Sequence, residues 1–491
     1  MILMNVCIEV GPVRLKITPG LSDVDFALLR EKLTFVVFNY QFTKQHKEYG
    51  WDGKKRLLLK DQTAPTGCLY RIKYILEKKC GHTVEIVYSH DYKPRGTPDI
   101  HGLQLESFQK LAVQRAIKYR RAVIQAPVRA GKTAIAASII KNIGHFPVWL
   151  ITYGKDLVNQ TKKDLEFHLQ RQIGSFSEGE YEHGDIVVTS YQAITRALTV
   201  TKGKVRIGAD TRARNEAINK MIRSARVFIF DECHHSLSPK NKNLLATMDS
   251  AGYVIGLSGT PKPQHARMLE LEAALGSIVL TVKYKTLINH KRLARPMIIM
   301  YQMPYRWYST GLGNYQDIYD SNVVENLCRN QFIADIVESL HKSGKTSFIM
   351  IRKLPHGPIL RAMIPGSVFV NGSIDSKERG ELYEALQRKD IHCIIATVGK
   401  EGLNIPQLNA VINAEGLKSK VTTIQKMRSL TAAEGKKYGI VIDFFDRGKY
   451  LSKHSKQRFS LYKTIQGSKI KIRKVSADFY QMEGSRWQTE I

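Results

Sequence analysis

Short apolar runs separated by amphipathic stretches recur from about residue 100 to about residue 445 of the chain. Apolar runs of this length are typical of parallel strands that are buried on both faces, whereas the stretches between them have the period of helices. The pattern predicts a parallel sheet covered by helices, and it begins again after about residue 300, which predicts a second sheet of the same kind. The predicted strands are residues 122–126, 148–152, 186–190, 227–231 and 253–257 in the first sheet and 347–351, 368–371, 392–397, 410–413 and 439–444 in the second.

The first 98 residues have a different pattern, in which short strand-like runs alternate with two stretches of helical period. This mixture predicts a small α+β module, and two prolines and a glycine at 94–98 then predict a linker. The predicted elements of the module are strands at 5–10, 13–18 and 83–88 and helices at 24–33 and 68–79. The predicted fold class is therefore α/β, with an α+β domain at 1–98, parallel-sheet domains at 99–290 and 291–446, and a basic C-terminal tail at 447–491.

The 491-residue chain is strongly basic, with 75 Lys and Arg against 44 Asp and Glu and a formal charge of +31. Such an excess attracts polyanions, so nucleic acid is the first partner to consider, and a solvated basic surface on an ordinary enzyme is the alternative. A hydrophobic content of 43% excludes a largely disordered chain. No run reaches the roughly 18 apolar residues of a membrane span, and residues 1–5 lack a signal-peptide pattern, so we expect no membrane and a cytoplasmic location, in the host if the source is viral. Six scattered cysteines form no CxxC pair, which indicates neither a zinc site nor a disulfide framework.

A glycine-containing loop follows the first predicted strand of the first parallel sheet and leads into a helix. In that context the backbone N–H groups can cradle phosphates, Lys132 can neutralise the β and γ oxygens, and Thr133 can hold magnesium. The loop therefore predicts a site for ATP and Mg²⁺. Its residues are Ala126, Pro127, Val128, Arg129, Ala130, Gly131, Lys132 and Thr133.

Two adjacent carboxylates follow another apolar run, about a hundred positions later. Asp231 ends the predicted strand 227–231 and Glu232 comes next. Asp231 can bind Mg²⁺ directly or through water, and Glu232 can then orient and deprotonate an attacking water. The order and spacing of loop and carboxylates favour ATP hydrolysis over an accidental acidic pair.

Asp-Glu-Cys-His at 231–234 is a DExH box, and from residue 108 onward the chain resembles the superfamily 2 helicases. The resemblance implies two RecA-like domains whose cleft closes on ATP and reopens after hydrolysis. It also implies that Gln109 reads adenine and that Ser258 and Thr260 couple the nucleotide site to the nucleic-acid track. Further nucleotide contacts are implied at two positions of a segment that resembles motif V, Gly402 and Asn404.

The same resemblance implies a nucleic-acid track along both parallel-sheet domains. Four segments that resemble motifs Ia, Ib, IV and V would hold the sugar–phosphate backbone. Their candidate residues are Thr152 and Lys155, Ser190 and Tyr191, Arg352 and Lys353, and Thr397 and Lys400.

A narrower likeness involves residues that lie mainly outside the two RecA-like domains. Residues 49–58 (Tyr-Gly-Trp-Asp-Gly-Lys-Lys-Arg-Leu-Leu) and 64–67 (Ala-Pro-Thr-Gly) resemble the N-terminal domain of a group of phage helicases within that superfamily, and 415–420 resemble the segment before their motif VI. This likeness implies 3′-to-5′ remodelling of branched DNA, that is forks, Holliday junctions and R-loops, in replication, recombination or repair. The implied partner is branched or single-stranded DNA, with an RNA–DNA hybrid as a further candidate, and the implied motor is monomeric.

Motif VI departs from the family pattern QxxGRxxR, because residues 425–432 read Gln-Lys-Met-Arg-Ser-Leu-Thr-Ala. When residues 425–432 are aligned with this pattern without a gap, neither arginine position holds an arginine. If one residue is deleted from this chain relative to the pattern, Arg428 aligns with the first arginine. Arg428 is then the candidate arginine finger that stabilises charge on the γ-phosphate. Without such a finger the chain would hydrolyse little ATP, so an ATP-gated clamp or annealing factor is the alternative function. The motor of a restriction or nuclease system is a third reading, although the remaining length holds no nuclease-sized domain.

Three basic segments are further candidates for nucleic-acid contact. Trp51 lies among cations that include Lys54 and Arg56, so it is either a stacking residue or part of the core. Residues 447–474 carry ten Lys and Arg without an acid, which suits phosphate contacts or a solvated helix face. The basic excursion 198–226 is longer than a strand connection needs, and either a DNA-contacting element or a surface loop explains it.

Overall fold

The computed structural model describes residues 4–37, 39–90, 92–127, 129–177, 179–200, 209–237, 242–259, 266–292, 294–309, 314–374, 376–397, 408–417, 438–448, 450–465 and 468–476. The chain divides into two compact units, Met1–Val282 and Lys283–Ile491. The predicted boundary at residue 290 therefore lies a few residues late. No helix within the described ranges is long and apolar enough to cross a membrane.

The described residues up to Tyr88 form a small α+β module. Its elements are β1 (Asn5–Val10), β2 (Arg14–Thr18), α1 (Asp23–Lys32), β3 (Thr34–Val36), α2 (Lys44–Tyr49), β4 (Lys54–Arg56), β5 (Thr63–Pro65), α3 (Leu69–Lys78) and β6 (Thr83–Tyr88). A four-stranded sheet has the order β5-β2-β1-β6, and a separate antiparallel pair joins β3 to β4. Alternate residues of β1 and β2, such as Ile8 and Leu15, are fully buried against Ile72 and Leu76 of α3. One face of the sheet therefore supplies the core of the module.

The rest of the first unit is the first predicted parallel sheet with its helices. Its elements are α4 (Ser107–Tyr119), β7 (Arg121–Gln125), α5 (Lys132–Ile143), β8 (Val148–Thr152), α6 (Lys155–Leu169), β9 (Gly174–Ser177), β10 (Glu180–Glu182), β11 (Ile186–Ser190), α7 (Tyr191–Val200), α8 (Ala209–Ser224), β12 (Val227–Asp231), α9 (Lys242–Leu245), β13 (Tyr253–Ser258), α10 (Ala266–Leu275) and β14 (Ile278–Thr281). The strand order is β10-β9-β11-β8-β12-β13-β7-β14, and only the β9–β10 pair is antiparallel. Strands β8, β11 and β13 are buried along their whole length, which confirms the prediction drawn from their apolar runs.

The basic excursion 198–226 contains a helix, α8, that packs on this sheet. Ile218 and Ile222 are buried in the core of the domain, and Arg223 pairs with Asp249. Residues 201–208 of the excursion lie outside the described ranges. The described part of the excursion is therefore a packed helix with a basic outer face.

The α+β module is docked on the first parallel-sheet domain by polar contacts. Arg71 of α3 donates from Nε to Glu272 of α10 at 2.9 Å. Arg121, at the start of β7, donates to the carbonyl oxygens of Pro12 and Ala274, and its burial lowers the pKa of its guanidinium to about 10. Gly67 is needed for the approach, because a Cβ there would lie 2.1 Å from the carbonyl oxygen of Glu272. The predicted independent domain 1–98 is therefore part of one compact unit with the first motor domain.

The second unit contains a seven-stranded sheet in which all neighbouring strands are parallel. Its elements are α11 (Tyr284–Asn289), β15 (Arg295–Gln302), α12 (Tyr315–Tyr319), α13 (Leu327–Lys342), β16 (Ser347–Ile351), α14 (His356–Met363), β17 (Ser367–Val370), α15 (Ser376–Arg388), β18 (Cys393–Thr397), β19 (Ala410–Asn413), β20 (Tyr438–Phe445), α16 (Leu451–Lys463) and β21 (Lys469–Lys474). The strand order is β17-β18-β16-β19-β20-β15-β21. The sheet confirms the second α/β domain.

The prediction of a separate basic tail from residue 447 is wrong for residues 451–474. Strand β21 pairs with β15 over its whole length, and α16 buries Leu451 and Tyr462 in the cores of the unit. The charges on α16 and β21 conceal these apolar positions in the sequence. Arg458, which the charge pattern predicts to be a surface cation, is itself only 1% exposed.

Arg458 is the centre of a buried polar network at the end of β20. Its guanidinium donates two hydrogen bonds of 2.9 Å to the two carboxylate oxygens of Asp443. Tyr462 and Asn413 donate to the same carboxylate at 2.8 and 2.9 Å. Burial alone would lower the pKa of Arg458, but the ion pair with Asp443 raises it above its ordinary value. Each charge is therefore stable in the interior only because the other is present.

We expect Arg458→Met to destabilise the chain by about 3–5 kcal/mol, because it leaves Asp443 as an unpaired buried charge. Arg388→Met is the matched control, since Arg388 forms an exposed ion pair with Asp390 at 2.9 Å, and such pairs contribute about 0–1 kcal/mol. Denaturant unfolding of the two variants and the parent chain measures the difference. Equal effects at the two positions would contradict the importance of the buried network.

Candidate active site

Three neighbouring parallel strands, β7, β13 and β12, bring the predicted nucleotide residues to one edge of the first sheet. The register pairs Gln125 of β7 with Ser258 of β13, and Leu257 of β13 with Asp231 of β12. The backbone N–H of Ala126 also donates to the carbonyl of Ser258 at 2.9 Å. Because parallel strands end at the same edge, the phosphate loop, the acidic pair and Ser258 lie together.

The phosphate loop ends where the 12-residue helix α5 begins at Lys132. Gly131 caps this helix with φ +74°, and a Cβ there would lie 2.5 Å from Nε2 of Gln109, so glycine is required at this position. Within the loop, the N–H of Ala130 donates to the carbonyl of Pro127 at 3.1 Å. Arg129 also has a positive φ, of 67°, and burial lowers the pKa of its side chain. The tight turn aims the N-terminus of α5 at the site, where anions bind favourably.

Lys132 and the two carboxylates form one charge cluster. Nζ of Lys132 lies 2.5 Å from Oε1 of Glu232 and 2.9 Å from Oδ1 of Asp231. The other oxygen of Glu232 accepts a hydrogen bond of 2.9 Å from Ser258, whose Oγ lies 3.2 Å from Nδ1 of His234. Glu232 is 3% exposed, and its backbone φ is +45°. The fold therefore holds this residue in a backbone conformation that non-glycine residues rarely adopt.

These donors fit ATP and Mg²⁺. The carboxylate of Asp231 and the hydroxyl of Thr133, the second residue of α5, are hard oxygen ligands of the kind that Mg²⁺ prefers. The ammonium of Lys132 and the helix N-terminus are suited to phosphate oxygens. A bound nucleotide would supply the phosphoanhydride, and Glu232 would take the proton of the attacking water.

Gln109, which the resemblance implies reads adenine, is bound within the chain itself. This side chain is fully buried, its Nε2 donates to the carbonyl of Ala130 at 2.8 Å, and its Oε1 accepts from the N–H of Glu106 at 2.9 Å. Both ends of the amide are therefore bound to the chain itself. Gln109 joins the N-terminus of α4 to the phosphate loop and braces that loop.

Comparison with known proteins agrees with this geometry. Residues 100–263 match the family model described as Type III restriction enzyme, res subunit. Helicase 22 of the Sulfolobus islandicus filamentous virus (isolate Iceland/Hveragerdi) is 24% identical over 400 residues, which are 73% of this chain and 68% of the relative. The ATP-dependent DNA helicase UvsW of Enterobacteria phage T4 is 20% identical over 451 residues, 85% of this chain and 86% of the relative. These matches support the resemblance to superfamily 2 helicases. The fold of this chain is also similar to that of the S. cerevisiae protein Dbp5 bound to RNA and ADP BeF3, with a TM-score of 0.52 at 13% identity over 76% of this chain and 90% of that chain.

In the segments that resemble motifs Ia and Ib, the side chains of Thr152, Ser190 and Tyr191 are buried. Thr152 donates to the carbonyl of Thr189 at 3.3 Å, and Ser190 accepts from the N–H of Ala193 at 3.2 Å. Tyr191 is 2% exposed, with its ring 6.0 Å from that of Phe230. These three side chains therefore shape the segments from inside. Lys155 is the first residue of α6.

The second unit places Arg352 and Lys353 directly after β16. Arg352 is exposed, whereas Nζ of Lys353 lies 2.6 Å from both carboxylate oxygens of Asp320. Thr397 ends β18 and is half-buried. Arg352 is therefore the motif IV side chain that is open to a phosphate. The remaining predicted positions, Val128, Thr260, Lys400, Gly402, Asn404 and Arg428, lie outside the described residues.

Sequence reasoning missed the role of the two histidines of the DExH segment. The ring of His234, which lies beside Ser258, is 4.1 Å from the ring of His235. His235 in turn stacks on Tyr153 at 4.0 Å. An unbroken series of contacts therefore joins Glu232 to the segment that resembles motif Ia. The second histidine of the sequence 231–235 is the signal that could have suggested it.

We expect Lys132→Ala and Glu232→Gln to abolish ATP turnover for different reasons. Lys132→Ala removes the phosphate ligand and should weaken ATP binding, whereas Glu232→Gln keeps the shape and should lower turnover by about 10²- to 10⁴-fold with ATP binding retained. ATPase assays and titration with a fluorescent nucleotide measure both quantities. The controls are Lys162→Ala and Glu182→Gln, which break an ion pair elsewhere in the same unit and should change turnover less than twofold. Near-normal turnover in Glu232→Gln would place the base elsewhere.

We expect Gln109→Ala to weaken ATP and GTP binding equally, by roughly threefold to tenfold, because the variant loses a loop brace and not a base contact. Gln114→Ala on the exposed face of the same helix should leave both affinities unchanged. Competition binding with ATP and GTP measures both affinities in each variant and in the parent chain. A selective loss of ATP affinity would restore the adenine-reading role.

Proposed function

We propose that this chain is an ATP-dependent DNA helicase or translocase that remodels branched DNA with 3′-to-5′ polarity. The observation that carries the proposal is the cluster of Lys132, Asp231 and Glu232 at the ends of neighbouring strands, which fits ATP hydrolysis. The printed name of the phage T4 relative, an ATP-dependent DNA helicase, supports DNA as the partner, and the aligned 85% of this chain is more than the motor residues alone. Branched substrates and polarity rest on the resemblance of residues 49–67 and 415–420 to phage branch-remodelling helicases.

The catalytic roles follow from the site. Lys132 binds the β- and γ-phosphates, Thr133 and Asp231 hold Mg²⁺, and Glu232 is the general base. Ser258, hydrogen-bonded to Glu232, senses the state of that base. We assign the arginine finger to Arg428.

Exposed cations on the second unit suit the phosphates of a nucleic acid. The outer face of α16 carries Lys453, Lys456 and Lys463, and the edge strand β21 carries Lys469 and Lys471, all exposed. A charge of +31 on the whole chain favours a polyanionic partner further. We place the protein in the cytoplasm, that of the host if its source is viral, and expect a monomeric motor.

A panel of substrates tests the function. We expect forks, four-way junctions and R-loops to stimulate ATP turnover more than single strands or RNA duplexes, and we expect unwinding of a tailed duplex to need a 3′ tail. Lys132→Ala serves as the inactive control in the same ATPase and strand-separation assays. Unwinding that needs a 5′ tail would contradict the proposed polarity. Equal stimulation of ATP turnover by all DNA forms would contradict the proposed preference for branched DNA.

One observation favours a second candidate, an ATP-gated clamp or annealing factor. Residues 425–432 depart from the motif VI pattern, so the transition-state arginine depends on the placement of Arg428 alone. In the panel a clamp would bind DNA in response to ATP, but DNA would not stimulate its ATP turnover. A motor would show both ATP-dependent DNA binding and DNA-stimulated ATP turnover.

A further inference from the structure

Two aromatic rings of the α+β module are more exposed than any other ring in the described part of the chain. Phe42 is 76% and Tyr49 is 79% exposed. Phe42 immediately precedes the N-cap residue of α2, Thr43, and Tyr49 is the last residue of that helix. Both rings are therefore accessible to a partner.

The aromatic residues at 40, 46 and 51 pack on one another around the same short helix. The ring of Tyr40 lies against Gly53, and the ring of His46 meets it edge-on at 5.1 Å. Trp51 also packs edge-on against Tyr40, at 6.4 Å, and donates its indole N–H to the carbonyl of Lys54 at 3.3 Å. Trp51, the stacking candidate predicted from the sequence, is therefore half-buried and bound within the module.

Charge around the pair indicates the kind of partner. Residues 44–56 contain five Lys and Arg and two acids. Glu48 lies 3.6 Å from Lys44, and Asp52 pairs with Arg56, whose hydrogen bond lowers the pKa of that carboxyl. The other cations are Lys47, Lys54 and Lys55, of which Lys55 lies 3.7 Å from Glu270 of α10. Lys47 and Lys54 form no ion pair within the described residues, so they are open to an anion.

Exposed rings beside open cations match the chemistry of an unpaired nucleic-acid strand. The rings can stack on bases, and stacking needs bases whose faces are uncovered, while the cations can contact the flanking phosphates. A closed duplex covers the faces of its bases, except at its ends. A fork or junction exposes such bases where duplex and single strand meet.

We propose that Phe42 and Tyr49 stack on unpaired DNA bases while Lys47 and Lys54 bind the adjoining phosphates. The proposal deepens the proposed function, on which it rests, by assigning single-stranded recognition to the N-terminal module. The β3–β4 pair that carries this platform contacts α10 through Lys55 and Glu270. Helix α10 is the helix that follows Ser258 along the chain, so the platform belongs to the same unit as the nucleotide site.

The test compares Phe42→Ala/Tyr49→Ala with Tyr74→Ala in the full-length chain. Tyr74 lies on α3 of the same module and is 58% exposed, which makes it a matched control. The probes are a single strand that contains 2-aminopurine and a blunt duplex of the same sequence, titrated without ATP over a range of salt concentrations. We expect the double variant to bind the single strand roughly tenfold more weakly, and the duplex less than twofold more weakly, with an unchanged salt slope because no charge is lost.

Exchange of the two rings, Phe42→Tyr/Tyr49→Phe, should retain single-strand affinity, and thermal unfolding of each variant reports whether the module remains folded. Equal losses on single strand and duplex, an equal loss in Tyr74→Ala, or no loss in the double variant would overturn the proposal. Binding is measured without ATP, so this test does not depend on unwinding. A failure of the wild-type chain to unwind DNA would contradict the proposed function but would not affect the result for base stacking.

Discussion

A lysine held between two carboxylates at the end of a buried sheet is the constraint on which the first unit depends. Lys132, Asp231 and Glu232 come from positions about a hundred residues apart, and only the parallel arrangement of β7, β13 and β12 brings them within hydrogen-bonding distance. Partly desolvated charges of this kind are costly unless they are paired. The apolar strands that exclude water therefore also strengthen the electrostatics of the site.

The second unit uses buried charge for a different purpose. Beside the pair of Arg458 and Asp443, the fully buried Arg329 donates to Asp446 at 2.9 Å. Arg458 also donates to the carbonyl of Leu417 at 2.9 Å, and Tyr319 donates to that of Glu415 at 2.7 Å. The network thus fixes the segment 415–417, which leads into the residues that resemble motif VI. A rigid start to that segment is needed if Arg428 is to be positioned accurately.

The α+β module and the nucleotide site are linked through one helix. Helix α10 follows Ser258, and it contacts the module through Glu270 and Glu272. Helix α10 also packs against β13, so a change at the strand end that carries Ser258 can reach the module through packed elements. This arrangement suits a motor whose DNA-contacting surfaces must respond to the state of its nucleotide.

The sequence by itself determined the parallel sheets and the chemistry of the nucleotide site. Strands such as β8, β11 and β12 have their predicted bounds, because an apolar run that is buried on both faces leaves a local signal. The phosphate loop and the acidic pair are equally local, since each is a short segment at a strand end.

Tertiary structure alone decided which polar and aromatic side chains are buried. Arg458 is a cation in a basic stretch of sequence, and it is buried because Asp443 neutralises it from another element. Gln109 is bound to Ala130 of the distant loop, and Trp51 and Tyr191 are packed whereas Phe42 and Tyr49 are exposed. Burial of such residues depends on partners that are far away in the chain, and no local pattern of hydrophobic and polar positions contains that information.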